Sequence, residues 1–520
     1  MREEGDAGAP REVAPAAKRS LAASLVNTGA KFAGINIASL AVATLAGILN
    51  ARLLGPHLLG VWATASIVLA YLPFLPLGVD HAAARDIPLL RGAGRTDESE
   101  DVKRVYFWFA VLVACASAAA VALAALVLPL DPLLSRSLLV VAALGVVMSV
   151  GRWAIILLKA DNQFSWAGSA DACRSVGLLI ATPLIYVWGL PGLWLGNLVG
   201  ALASTGFAWG RLRYGPRFRW NAALLRRLIG FGVPIMLVSI AQIVSMTGDR
   251  MLVLGFLGTS ALGIYGIGRT FTQVLMVSGG IVGPVVYPRI TERYGRTGDA
   301  TSLQRLVVAP TLVLAATLPL AVGFAWFGLP VIIEWLLPSF RPGILAAQIL
   351  FIATAAYLLA GASDYLLIAL RRQVLSLLLY VGGVALGLLL EYGALRVGWG
   401  LAGVASGVAL SSAVYAVVII MVAQRHCGVP PTEQIRNVLR GILPLGLAVV
   451  LCVAIEHFAP PEGYPPLLQA VGWAGVKAVT VLLACLPFSI RLLNREWPEW
   501  RAIVLGRRAG RAARRLIGLQ

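Results

Sequence analysis

The sequence predicts an all-α polytopic membrane protein, and three observations carry that prediction. Hydrophobic residues make up 59% of the 520 and charged residues only 13%, against roughly 25% charged in soluble domains, and the mean hydropathy is +0.82. Apolar runs of about 18 to 26 residues recur along the chain, each long enough to cross a hydrocarbon core of roughly 30 Å. Arginine and lysine concentrate in alternate loops between those runs, as cytoplasmic loops do.

The runs number about fourteen by this length criterion. Residues 1–25 are a polar, alanine-rich segment with no apolar core of a signal peptide, so no secretory signal is expected. Six spans follow at 26–49, 58–80, 105–130, 136–158, 166–188 and 191–210, a first lobe over 26–213. A basic linker occupies 214–227. Six more spans at 228–256, 262–287, 306–328, 344–369, 374–396 and 399–423 make a second lobe over 228–423. Two further spans, 442–459 and 466–490, lie within 424–490, and a basic tail covers 491–520.

With the N-terminus inside, the inward loops hold Arg85, Arg91, Arg95, Lys103 and Arg104, then Arg211 to Arg227, then Arg289, Arg293, Arg296 and Arg305, then Arg371 and Arg372, then Arg425, Arg436 and Arg440. The outward loops hold only Arg52, Arg136, Arg341 and Arg396. Both termini are therefore expected in the cytoplasm. In the tail, Arg501, Arg507, Arg508, Arg511, Arg514 and Arg515 alternate with Ile503, Leu505, Leu516, Ile517 and Leu519. That spacing suits a basic amphipathic helix on anionic membrane lipids, a solvated tail being the alternative.

Several function classes are excluded. The net charge of +19 does not imply nucleic acid, because no basic face with interleaved aromatics lies outside the spans. Cys115, Cys173, Cys427, Cys452 and Cys485 are scattered, with neither a disulfide framework nor metal-ligand spacing, and read as small buried hydrophobes. His57, His81, His426 and His457 are equally dispersed, so no metal site is expected. No phosphate-binding loop of an ATPase is present. The outward loops are short for the extracytoplasmic chemistry of a membrane glycosyltransferase or polysaccharide polymerase, which stays as a lower-ranked alternative.

A repeat underlies the two lobes. Gly55-Pro56-His57-Leu58-Leu59-Gly60-Val61-Trp62 matches Gly258-Thr259-Ser260-Ala261-Leu262-Gly263-Ile264-Tyr265 in its glycines, apolar residue and aromatic, at a constant offset. Both copies fall at the first helix-to-helix junction of their half. Six spans separate them, an even number, so the halves are parallel repeats about an axis along the membrane normal.

These motifs, together with Arg52-Leu53-Leu54-Gly55-Pro56, Phe231-Gly232-Val233-Pro234, Asp249-Arg250 and Tyr287-Pro288-Arg289, resemble the Wzx-type polysaccharide (O-antigen) flippases of the multidrug/oligosaccharidyl-lipid/polysaccharide exporter superfamily. The resemblance runs from about residue 25 to 490, helix count included. After the ninth span the usual glycine-aromatic pattern appears only as Leu337-Pro338-Ser339-Phe340. The resemblance implies two lobes facing a central cavity and a non-enzymatic, cofactor-free flippase working by alternating access. It would move an undecaprenyl-pyrophosphate-linked oligosaccharide from the inner to the outer leaflet of the bacterial cytoplasmic membrane, with a polysaccharide polymerase and glycosyltransferases as expected protein partners. A lipid II flippase or a multidrug/cation antiporter would share the fold.

The intramembrane charges supply candidate site residues. Ionisable groups at depth cost about 2.5 to 3.5 kcal/mol each on insertion scales, so they face a wet cavity or a partner. Arg152 on span 4 and Asp171 and Arg174 on span 5 lie toward the cytoplasm, and Arg250 on span 7 and Arg269 on span 8 toward the outside. Ser239, Gln242, Ser245, Asp249 and Arg250 share a face, within roughly 140° of arc at about 100° per residue. Adjacent Asp249 and Arg250 cannot face each other. Asp249 is expected to pair with Arg269, leaving Arg250 to grip pyrophosphate in bidentate fashion; closure of interhelical ion pairs is the alternative, and for Arg174 the partner would be Asp171. Gln242, Gln273 and Asn36 suit glycan hydroxyls or helix-helix hydrogen bonds. Asp364 either carries a coupling proton or sodium ion or bonds neighbouring hydroxyls. Glu391, Glu456 and Lys477 have flanks without pattern.

Overall fold

Each half of the chain begins with one long helix bent at a glycine. In the computed structural model, which describes residues 15–212, 214–280, 282–458 and 467–496, α1 (Pro15–Tyr71) turns at Gly55 (φ 72°, ψ 175°) and α7 (Ala222–Gly280) turns at Gly258 (φ 83°, ψ −178°). Only glycine adopts this conformation readily, so both sites are hairpin tips, one between spans 1 and 2 and the other between spans 7 and 8. The first lobe is completed by α2 (Val79–Gly92), α3 (Thr96–Val127), α4 (Pro132–Ala160), α5 (Phe164–Trp188) and α6 (Leu190–Leu212). The second is completed by α8 (Val282–Thr297), α9 (Gln304–Leu336), α10 (Ile344–Leu359), α11 (Gly361–Ala369), α12 (Gln373–Arg396) and α13 (Gly400–His426). Helices α14 (Pro431–Phe458) and α15 (Leu467–Glu496) follow.

Among the described residues there is no strand. Among the same residues eleven stretches are long and apolar enough to cross a membrane. Two are bent helices that each cross twice, and the 23-residue α6 supplies one more, so all fourteen expected crossings of this multi-pass membrane protein are present.

The structure corrects the expected boundaries in several places. Span 2 was expected as one helix over 58–80, yet α1 stops at Tyr71 and a 3-10 turn, Leu72–Phe74, follows. Pro73 and Pro76 bring no backbone donor, and Leu77 (φ 54°) and Gly78 (φ 72°) take the left-handed conformation. The following segment, read as a loop because Arg85, Asp86 and Arg91 interrupt the apolar run, is α2. Its buried residues Val79, Ala82, Ala83, Ile87 and Leu90 form one helical face. At the repeat offset α2 (Val79–Gly92) falls on residues 282–295, within α8 (Val282–Thr297), so this inner helix has a helical counterpart in the second half. Span 10 is likewise broken, at Ala360 between α10 and α11.

Other ends differ by a few turns. The linker 214–227 is irregular only to residue 221, where the Asn221 Oδ1 accepts from the Leu224 N–H at 3.0 Å and starts α7. Helix α1 reaches back to Pro15, into the segment expected to be a polar terminus. The tail 497–520, with its expected surface helix, lies outside the described residues.

Helices α14 and α15 pack against α9, where Trp326, Phe327, Cys452 and Cys485 share one buried cluster. The Trp326 Nε1–H donates to Glu456 at 2.9 Å, which gives that otherwise unexplained carboxylate a partner. Cys427, Cys452 and Cys485 are buried as expected, but Cys173 is only half-buried and Cys115 is exposed, since an apolar thiol needs no burial on a helix that faces lipid.

The lobes touch at both ends, named outer and inner after the expected topology. At the outer end a Cβ on Gly60 would lie 1.8 Å from the Thr259 carbonyl oxygen, and one on Gly263 2.0 Å from that of Pro56. The first glycine of each motif therefore turns the chain and the second lets the two tips meet. At the inner end a Cβ on Gly78 would lie 2.2 Å from the Gly232 carbonyl oxygen, and the reverse distance is also 2.2 Å. Gly232 is 26 residues before the tip at Gly258, roughly 39 Å along a helix. Between the two contacts the Tyr71 hydroxyl meets the Thr247 hydroxyl at 2.7 Å.

Candidate functional site

The charges expected at two depths divide between the lobes. Within the first lobe a cavity of about 400 Å³ lies below span 2, lined among others by Asp80, His81, Tyr106, Arg152, Lys159, Asp171, Arg174, Ser204 and Thr205. Small residues bring its walls together. A Cβ on Gly151 would sit 2.5 Å from the Thr205 hydroxyl oxygen, and one on Gly177 2.3 Å from the Gly200 Cα, so α6 packs tightly on α4 beside Arg152 and on α5 beside Arg174.

Arg152 donates from Nε (3.1 Å) and Nη2 (2.5 Å) to one oxygen of Asp80. The aspartate side chain is 6% exposed and the arginine 42%, so the carboxylate is sealed in the wall while the guanidinium meets the cavity. Arg174 and Asp171 share the cavity, but no ion pair closes between them. Three cations, Arg152, Lys159 and Arg174, face two carboxylates, Asp80 and Asp171, and with His81 neutral the lining carries one net positive charge. Sequence reasoning missed Asp80 and Lys159 because each sat at an expected span end, where a charge calls for no explanation.

In the second lobe the expected pair is present. Asp249, 2% exposed, accepts from Arg269 Nε at 2.8 Å and from its Nη2, from the Tyr265 hydroxyl at 2.6 Å and from the Arg250 backbone N–H at 2.8 Å. Arg269 is thereby committed to the pair. Arg250 is left with a buried Nε that has no partner. Gln242 and Gln273 are exposed and line neither cavity described here. The backbone of Asn36 lies in α1.

Asp249 also borders a small pocket of about 60 Å³ with Ser245, Glu391, Ser411 and the tyrosines 357, 380 and 415. Glu391 is 4% exposed and its Oε2 has no partner; Gly387 and Gly407 close on it from either side. Asp364 accepts a hydrogen bond from the Ser376 hydroxyl, so it bonds a neighbouring hydroxyl as one of its two expected readings had it.

At the inner face the linker lies across the first lobe. The Tyr214 hydroxyl donates to Glu100 at 2.7 Å, the Trp108 indole to the Arg217 carbonyl at 3.4 Å, and Arg219 pairs with Asp101 at 2.9 Å. Burial, with the Glu100 carboxylate beside it, pushes the Tyr214 phenol up to about 12.

Two parallel lobes joined by such a strap, with unpaired cations in the first, are accompanied by a family match. The profile of the family described as "polysaccharide biosynthesis protein" covers residues 48–338. The chain belongs to that family. The matched region takes in both glycine tips, the first-lobe cavity and the Asp249–Arg269 pair. No curated protein matches the sequence.

Among solved structures, the lipid II flippase MurJ in its inward closed conformation is similar over 89% of this chain and 99% of its own, with a TM-score of 0.63 at 11% identity. A multidrug resistance MATE family transporter of the MOP superfamily is similar in its inward-facing conformation over 76% of this chain and 98% of its own, with a TM-score of 0.58 at 14% identity. The outward-facing conformation of such a transporter gives a TM-score of 0.55 at 13% identity, over 77% of this chain and 95% of its own. This member of the polysaccharide biosynthesis family thus has the fold of that superfamily.

Proposed function

We propose that the protein is a flippase that carries a polyprenyl-pyrophosphate-linked oligosaccharide, on an undecaprenyl carrier, from the inner to the outer leaflet of the bacterial cytoplasmic membrane during surface-polysaccharide biosynthesis. The observation that carries the reading is the first-lobe cavity, whose Arg152, Lys159 and Arg174 outnumber its carboxylates, in a chain of the polysaccharide biosynthesis family. Guanidinium groups suit a diphosphate because they offer paired donors at fixed spacing. Arg250, with its unpartnered Nε, is the corresponding ligand toward the outside, and Gln242 and Gln273 are the groups for glycan hydroxyls.

Contact between the lobes at both ends supports alternating access about a closed intermediate, with both termini in the cytoplasm. Moving the diphosphate outward across an inside-negative membrane releases roughly 2.3 kcal/mol per charge per 100 mV, which favours export. Glycosyltransferases and a polymerase would supply and consume the lipid-linked glycan, and the basic tail would rest on anionic lipids. O-antigen, as a component of lipopolysaccharide, is the glycan class we favour.

A second reading, a multidrug/cation antiporter, draws on Glu391 and Asp249 beside the tyrosine-lined pocket. The same pocket, with Asp364 nearby in the lobe, serves equally to carry a coupling proton or sodium ion for flipping. A flippase-null strain carrying the gene, scored for surface glycan, tests the proposal. Restored glycan that is lost with Arg152→Ala and Arg174→Ala variants that insert normally supports it. Restored cation-drug resistance without glycan favours the second reading, and rescue of lipid II export would assign the diphosphate to lipid II.

A further inference from the structure

Span 2 breaks at a place that touches the cavity, the other lobe and a half-buried ion pair together. The break runs from the end of α1 at Tyr71 to the start of α2 at Val79. Leu72, Pro73 and Pro76 of this segment line the first-lobe cavity. Gly78 forms the inner contact with Gly232. Asp80, two residues on, holds Arg152. Leu77 sits at φ 54°, a conformation a leucine adopts only where its surroundings impose it. Beyond the break α2 also reaches the second lobe, since Arg227 donates to Asp86 at 3.2 Å and the Arg85 guanidinium lies 4.2 Å from the centre of the Phe231 ring. At the repeat offset, Gly283 stands where the first lobe has Asp80, so the second lobe has no such pin.

We propose that Asp80 is a resident counter-ion that occupies the diphosphate site and locks the inner end of the molecule shut. A diphosphate arriving through the cavity takes Arg152 from Asp80. The freed carboxylate no longer pins α2 to α4, the segment 72–78 relaxes, and Gly78 parts from Gly232. A ligand shifts a conformational equilibrium only by its preference for one state, and here the preference is built in, because Arg152 is available in full only when the pin is undone. The inner end then opens in response to substrate and stays closed without it. Lys159, on α4 with Arg152, and Arg174, on α5, line the same cavity and supply the charge that lets a diphosphate compete with a carboxylate already in place. Of the groups lining the cavity, His81 approaches the pair, its Nε2 at 4.0 Å from the Asp80 carboxylate.

The inference rests on the reading that a diphosphate occupies this cavity, and the test separates the two. The purified full chain in lipid nanodiscs is followed by amide hydrogen exchange over residues 72–82, whose N–H groups at Val79, His81 and Ala82 donate to the Pro76 and Gly78 carbonyls. Inorganic pyrophosphate is one ligand and farnesyl diphosphate the other; binding of both assigns recognition to the diphosphate, and binding of the lipid form alone assigns it to a headgroup presented from the bilayer. In the wild type, saturating ligand is expected to speed exchange of that segment by about threefold or more. Asp80→Asn is expected to show the faster exchange without ligand and to bind about fivefold tighter, while Asp80→Glu restores the slow state.

Unchanged exchange in the saturated wild type overturns the inference, whether or not Asp80→Asn folds, and so does an Asp80→Asn variant that binds no tighter. If those results accompany loss of surface glycan in Arg152→Ala and Arg174→Ala, only the locking role falls. If neither ligand binds and Arg152→Ala exports normally, the diphosphate reading falls with it.

Discussion

Removing either partner of the Asp249–Arg269 pair is expected to destabilise the protein far more than removing both. The carboxylate is 2% exposed and the Arg269 side chain 17%, so each charge depends on the other for what water would otherwise provide. Arg269→Ala leaves a buried carboxylate with only the Tyr265 hydroxyl and the Arg250 N–H, and Asp249→Ala leaves a buried guanidinium without the carboxylate it donates to. Each single change is expected to cost about 3–5 kcal/mol. The double alanine variant removes both charges and leaves chiefly the Tyr265 hydroxyl without its acceptor, a loss of about 1–3 kcal/mol. Non-additivity of at least about 3 kcal/mol follows. The assay is reversible unfolding in mixed micelles, titrating denaturing into non-denaturing detergent, on all four proteins. Additive losses, or single variants that each lose less than about 1 kcal/mol, would refute the reasoning, because they would mean that the pair is solvated or broken in the bilayer.

Gly60→Ala and Gly263→Ala each place a methyl within bonding distance of a backbone oxygen on the other lobe. Both should push the outer end apart, seen as increased labelling of a cysteine introduced near Leu59 by a membrane-impermeant thiol reagent. Gly55→Ala and Gly258→Ala act instead through the left-handed backbone and should each lower stability by about 1–2 kcal/mol without a specific gain in outer labelling. Arg250→Ala should reduce glycan export with little change in unfolding, since its Nε has no partner to lose; a stability loss comparable to that of Arg269→Ala would make it structural. Glu391→Gln should leave folding nearly intact, because Oε2 has no cationic partner. If the second-lobe pocket carries the coupling ion, that variant should abolish the dependence of export on an imposed ion gradient.

Much of this architecture was legible in the sequence because membrane burial writes a coarse signal. Fourteen crossings follow from run length alone, and the two tips follow from Gly55 and Gly258 with their second glycines. The Asp249–Arg269 pair was legible too, since a charge at depth needs a partner and span 8 offers a cation. What could not be read was the inner boundary. Residues 72–92 combine three prolines, a left-handed Leu77 and a helix with only one apolar face, and charge-based parsing dissolves that pattern into a loop. The grouping of Asp80 with Arg152 escaped for a related reason, as they are 72 residues apart and no periodicity links them.

The two repeats share a backbone plan but handle charge in opposite ways, and that difference suits directional work. The second lobe encloses its carboxylate and arginine against Tyr265, with Arg269 only 17% exposed. The first lobe leaves Arg152 at 42% exposure with Lys159 and Arg174 beside it, and its pin sits on the broken span 2. The counterparts of Asp249 and Arg269 at the repeat offset are Ala46 and Ser66, just as the counterpart of Asp80 is Gly283. A molecule with identical halves would bind an anion equally in each and gain nothing from rocking between them. Here the accessible cations lie in the lobe whose inner helix carries the hinge, so an anion can bias the inner contact at Gly78, while the outer contact at Gly60 and Gly263 rests on close backbone approach and on apolar packing of Ala51 and Leu59 with Ile264 and Ile267. Exchanging the two arrangements, by Asp80→Gly with Gly283→Asp, should therefore weaken anion-dependent opening of the inner end without creating it in the second lobe, where Arg269 is already held by Asp249.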